Sequence, residues 1–130
     1  MVVIVKILLP LTFVITVSAL SKGVEYMFIK YDEYELLELF CNEPISVGEV
    51  EAGELIYSLK DDKGFEIVMF MDVYRKICEV TITFQELIVF TCKIENVESI
   101  NKIGDEMIIN DVSKSILKIK FKKQIGVGML

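Results

Sequence analysis

From Leu55 to Ile94 apolar residues recur at every second position, and that period rules out most of what a chain of 130 residues could fold into. Strand side chains point alternately to opposite faces, so a run of this kind buries one face and solvates the other. Leu55, Tyr57 and Leu59 alternate with Ile56, Ser58 and Lys60, and Asp61-Asp62-Lys63-Gly64 reads as a hairpin turn. Phe65, Ile67, Met69, Met71 and Val73 continue the inward set. Tyr74-Arg75-Lys76 turns into a third strand (Cys78, Val80, Ile82, Phe84), and Gln85-Glu86 into a fourth (Ile88, Phe90, Cys92, Ile94). Strands joined by such short turns form an antiparallel meander. The stretch from Glu95 to Asp111 is looser, with a short strand at Met107 to Ile109. A last strand places Leu117, Ile119 and Phe121 inside and Lys118, Lys120 and Lys122 outside.

One segment has a helical period instead. Between Asp32 and Asn42, Tyr34, Leu37 and Cys41 form a broad apolar face with Leu36 and Phe40 beside them, and Glu35 and Glu38 lie opposite. Asp32 suits an N-cap, while Asn42 and Pro44 stop the helix. The expected fold is therefore mainly β within an α+β class: a meander forming a sandwich or strongly curled sheet, covered by one main helix near residues 32–42. Residues 1–130 are expected to make a single domain, with no repeat or linker. Residues 1–20 are an apolar run interrupted by Lys6 and Pro10. Two buried strands, about Val2 to Leu9 and Thr12 to Leu20, are the first reading, because the run is rich in Val, Ile and Thr. A signal peptide cleaved after Val17-Ser18-Ala19 is the second. An extension upstream of a start at Met27 is the third.

Composition narrows the chemistry. The chain has no His, which removes the side chain that titrates near neutrality and with it His-based triads and imidazole metal sites. Cys41, Cys78 and Cys92 contain no CxxC pair and are expected as small buried hydrophobes. A net charge of −6 argues against phosphate neutralisation, the basic run Lys114 to Lys123 being the one reservation. Gly48 and Gly53 are flanked by glutamates that would repel phosphate, and Asp61-Asp62 is too short to supply a calcium shell. The carboxylates Glu35, Glu38, Glu49, Glu51 and Glu54 read as exposed, without the burial that general acid–base work requires. Met27, Met69, Met71 and Met107 are expected as core filler. The chain is not expected to be an enzyme or to hold a cofactor or metal.

The charge is regional. Twelve Asp/Glu face three Lys between Glu25 and Glu66, whereas residues 67–130 carry nine Lys/Arg against eight Asp/Glu. A concentration of one sign creates a field that steers an oppositely charged partner, and carboxylates in a row imitate phosphates. Basic proteins that act on nucleic acid are the matching partner class. The candidate partner-binding residues are Tyr31, Glu33, Tyr34, Glu35, Glu38, Glu43, Glu49, Glu51, Glu54, Asp61 and Asp62. Tyr26 and Tyr57 fall in the same segment, and some of its tyrosines must be core instead of interface.

The stretch YDEYELLELFCNEPISVGEVEAGELIYSLKDDKGFEI, in a small acidic domain without catalytic residues, resembles the bacterial immunity proteins of contact-dependent growth inhibition systems. The resemblance covers about Met27 to Leu130 and rests on general character, with no motif carried over residue by residue. It implies a cytoplasmic protein that binds the toxic C-terminal domain of a delivered effector, commonly a nuclease, and neutralises it. The alternative is a membrane-attached or exported small β domain with a structural or ligand-binding role, resting on the apolar N-terminal run.

Overall fold

The structure is a computed structural model that describes residues 2–7, 12–16, 27–122 and 124–130. Strands β1 (Val2–Ile7) and β2 (Thr12–Thr16) come first, then β3 (Lys30–Tyr31), helix α1 (Glu33–Phe40) and β4 (Ile45–Ser46). After a 3-10 turn at Val50–Ala52 the chain runs through β5 (Glu54–Lys60), β6 (Phe65–Asp72), β7 (Ile77–Phe84) and β8 (Leu87–Ile94). The last four strands are β9 (Ser99–Ile103), β10 (Glu106–Asn110), β11 (Ser115–Lys120) and β12 (Gly126–Met129). They form a seven-stranded sheet ordered β2-β1-β8-β7-β6-β5-β4 and a five-stranded sheet ordered β12-β11-β10-β9-β3. The chain is thus mainly β with a single α-helix among the described residues, as its periodicity predicts. How the side chains of residues 1–20 are buried lies outside the described residues, and so does Tyr26.

The alternating run becomes the meander β5-β6-β7-β8, paired antiparallel with Tyr57 opposite Met69, Met69 opposite Val80 and Val80 opposite Cys92. All four are buried, together with Ile67, Met71, Cys78, Ile82 and Ile94. Asp61 closes the first hairpin by accepting from the Lys63 and Phe65 N–H groups through Oδ1, both at 2.9 Å. Gln85 and Glu86 both take left-handed φ, 48° and 69°, which matches the right-handed strand twist across a two-residue turn.

Four expectations need correction. Ile88 is 56% exposed, because the β7–β8 register shifts between Ile82 and Thr83: Phe90 pairs with Ile82, but Ile88 pairs with Thr83 on the outer face. One extra residue in a strand reverses the facing of everything beyond it. The loose stretch after Glu95 is a hairpin, β9–β10, of the second sheet. Its outer face carries a polar ladder in which Asn110 Nδ2 donates to Asn101 Oδ1 (2.7 Å) and Ser99 Oγ (3.1 Å), so a hydrophobic pattern alone does not reveal it. Met27 is 89% exposed and is not core filler, unlike Met69, Met71 and Met107. Cys41, expected inward, is exposed at the helix C-cap with φ 57°, its N–H donating to the Leu37 carbonyl.

Asp32 does cap α1, accepting from the Tyr34 N–H at 2.8 Å and, more weakly, the Glu35 N–H at 3.4 Å. The helix buries Leu36, Leu39 and Phe40, a face rotated away from Tyr34 and Cys41. Phe40 is the reason: its ring sits 5.2 Å from that of Tyr57 and 4.9 Å edge-on from that of Phe121, so it ties the helix to β5 and to the end of β11. The inner faces of both sheets and this helix face form one hydrophobic cluster.

The short segment leading into α1 joins the two sheets. The Ile29 N–H donates to the Val73 carbonyl beside β6, and the Lys30 N–H donates to the Glu98 carbonyl beside β9, both at 2.9 Å. Lys76 and Glu98 form a largely buried ion pair across the same junction. That junction, with the start of α1 above it, creates a surface cleft.

Candidate functional site

The cleft has a volume of about 600 Å³. Its floor is Ile29, Val73 and Ile100, all buried, and its walls include Phe28, Tyr31 and Tyr34. Asp32, Glu33 and Glu35 supply three carboxylates to the lining against one cation, Lys30. Local sequence explains the arrangement. Extended backbone through Lys30–Tyr31 pairs parallel with β9, and the capped helix then starts at once, projecting its first-turn acids over the junction.

The aromatics are not equivalent. Tyr34 is 71% exposed, Tyr31 is half-buried and Tyr57 is fully buried, so Tyr57 belongs to the core. Burial, followed by the charge of Glu33 and the neighbouring Tyr74, raises the pKa of the Tyr31 hydroxyl above its ordinary value. Burial also raises that of Tyr57, with Tyr31, Glu33 and Glu43 adding to it. Tyr74, 60% exposed, follows Val73 at the cleft margin, and its ring lies over Gly53. Sequence reasoning missed Tyr74 because Tyr74-Arg75-Lys76 carried only a turn signal. It also missed Phe28, an exposed ring that lines the cleft. An apolar residue beside a turn, out of step with the strand alternation, was the available sign.

The sequence-derived acids divide into groups. Glu33 and Glu35 line the cleft with Tyr31 and Tyr34. Glu49 and Glu51, both exposed, flank the 3-10 turn that leads to Gly53 and hence to Tyr74, and half-buried Glu54 starts β5 there. Glu43, Asp61 and Asp62 lie elsewhere. Glu43 shares a second depression with Ile45, Ser58 and Lys60, and Asp61 and Asp62 follow the far end of β5 at Lys60, which is about 20 Å from Glu54.

Two helix carboxylates have structural partners; Glu38 is exposed as expected, whereas Glu35 is not. Half-buried Glu35 accepts from the Lys102 N–H through Oε1 at 3.0 Å, and Glu38 pairs with Lys102 Nζ at 3.3 Å. Both bonds tie α1 to β9. The cationic stripe is also engaged, but not by the acidic segment: Lys118 pairs with Glu106 at 3.4 Å and Lys122 with Asp105 at 3.3 Å. Cys78 and Cys92 are buried, and burial pushes the Cys92 thiol up to about 11. Among the described residues, no group of three His, Cys, Asp or Glu is placed to hold a metal ion, and no helix is long and apolar enough to cross a membrane.

No protein-family model and no curated protein matches the chain. Among solved structures it is similar to a chain of a contact-dependent growth inhibition toxin–immunity protein complex from Klebsiella pneumoniae 342. The TM-score is 0.64 at 24% identity, over 78% of this chain and 96% of that one. The likeness is one of fold.

Proposed function

We propose that this chain is an immunity protein that binds and neutralises a cognate toxin domain of a contact-dependent growth inhibition system. It acts as a stoichiometric inhibitor without catalysis of its own. The observation that carries the reading is the face built at the sheet junction, where exposed aromatic rings and unbalanced carboxylates occur together on a fold of this kind. Protein interfaces combine these elements: aromatic anchors hold the complex, and a charged surround sets the encounter rate.

The matching toxin is basic at its contact surface, as a nuclease is, and the encounter takes place in the cytoplasm, where such a toxin would find its substrate. Glu33, Tyr31, Tyr34, Glu49, Glu51 and Glu54 form the docking face nearest the cleft. Glu35 and Glu38 add charge from their structural positions. Glu43, Asp61 and Asp62 contribute a more distant field. The test is a titration against the toxin domain encoded immediately upstream of this gene, at low and high salt. Tight binding with association slowed by salt supports both parts of the reading. Tight but salt-insensitive binding removes the electrostatic part, and no binding at either salt refutes the reading altogether.

A further inference from the structure

The cleft has a floor, walls and a rim of different chemistry, and together they select one kind of occupant. Ile29, Val73 and Ile100 make the floor apolar, Tyr31 and Tyr34 supply aromatic rings, and Asp32, Glu33 and Glu35 supply negative charge against the single cation Lys30. Asp32 and Glu35 each use one oxygen for the fold, Oδ1 for the helix cap and Oε1 for the Lys102 N–H. Phosphate groups are repelled by this rim. A second copy of a chain with net charge −6 would bring like charge to the same face.

A planar cation satisfies every part. Guanidinium stacks on an aromatic face, pairs with carboxylate through parallel N–H groups, and carries three methylenes that suit an apolar floor. Ammonium meets the charge but neither the stacking nor the fork geometry.

We infer that the cleft between β3, the start of α1 and the β6–β7 turn is the anchor pocket for an arginine side chain of the partner protein, with Tyr34 and Tyr31 as its aromatic wall and Glu33 as its principal counter-charge. This rests on the immunity reading above and narrows it, because it places the anchor at the sheet junction instead of along the acidic edge that ends at Asp61 and Asp62. Phe28 and Asp32 thereby join the interface.

The pocket can be tested without the partner. The full chain is titrated with N-acetyl-arginine amide and, separately, with the uncharged isostere N-acetyl-citrulline amide, while NMR follows the Tyr31, Tyr34 and Tyr74 rings. Saturable shifts of Tyr31 and Tyr34 with the arginine probe are expected, with at least about fivefold weaker binding of the citrulline probe and of arginine to Tyr34→Ala. Equal response to the two probes, or saturation centred on the Glu43–Asp62 end, overturns the inference. A second arm uses the toxin domain. Tyr34→Ala is expected to weaken the complex on the order of thirtyfold, as for a central aromatic anchor, and Glu79→Gln, on an exposed position of β7, to leave it nearly unchanged. If Tyr34→Ala binds like the wild-type chain, the pocket assignment fails and the immunity reading stands. If the wild-type chain binds no toxin, the immunity reading fails, and the arginine titration still decides whether the pocket exists.

Discussion

Replacing Glu35 by leucine removes one hydrogen bond that spans 67 residues of sequence, and its cost can be worked from the geometry. Glu35 Oε1 accepts from the Lys102 N–H at 3.0 Å, and both residues are half-buried where α1 lies against β9. A hydrogen bond to a charged group contributes about 1.5–3 kcal/mol, and a stranded backbone donor costs a similar amount. Partial exposure lets water replace the carboxylate, so the lower part of that range applies, about 1–2 kcal/mol. Leucine and glutamate have nearly equal helix propensity, so the helix itself contributes little to the difference. With a urea m-value of about 1.5 kcal/mol/M, the unfolding midpoint should fall by about 1 M. Glu35→Gln keeps an acceptor and should lose less than half as much. Equal midpoints for wild type, Leu and Gln would refute the reasoning and mean that apolar packing alone docks the helix. A Gln variant as unstable as Leu would point to the charge instead of the bond. The consequence for function is practical: Glu33 and Glu51, both exposed, are the acids whose reversal to Lys should slow association without unfolding the chain.

Gly53→Ala should destabilise by about 1–2 kcal/mol, because φ is +74° and an added Cβ would meet the Tyr74 ring at 2.9 Å; in a Tyr74→Ala background only the backbone part should remain in urea unfolding. Phe40→Ala should cost about 3–5 kcal/mol by removing a fully buried ring that contacts Tyr57 and Phe121, a loss measurable as a lowered Tm. A thiol reagent at pH 8 should modify one cysteine in the native chain, Cys41, and three in denaturant, because Cys78 and Cys92 are buried with raised pKa values. Their raised pKa values also have a consequence for stability. Above pH 9 the unfolded chain releases these thiol protons while the native chain retains them, so stability should fall from about pH 9 to about pH 11, and Cys92→Ala should flatten that slope in denaturant titrations at stepped pH.

The part of the fold visible in the sequence is the part governed by neighbours along the chain. Alternation from Leu55 to Ile94 specified β5 to β8, the Asp61 and Gln85 turns joined them, and Asp32 followed by acids marked the helix start. The acidic segment was equally visible, since charge is additive and needs no coordinates. Alternation failed at Ile88, where a bulge that depends on the partner strand reverses the facing. It failed again at β9, whose polar face is satisfied by Asn110 and Ser99 across strands.

Which acids share a surface was decided by tertiary structure alone. Glu33 and Asp62 belong to the same run of sequence, yet one lines the cleft and the other lies at the far end of β5. Tyr31 and Val73 are 42 residues apart and line one cleft, where Ile29 hydrogen-bonds to Val73. Glu35 looked like a solvent charge until Lys102 was brought beneath it. Period, turn chemistry and net charge are local or additive properties, so one chain suffices to read them. A pocket is a relation between segments distant in sequence, and it exists only once the two sheets have packed on a common core.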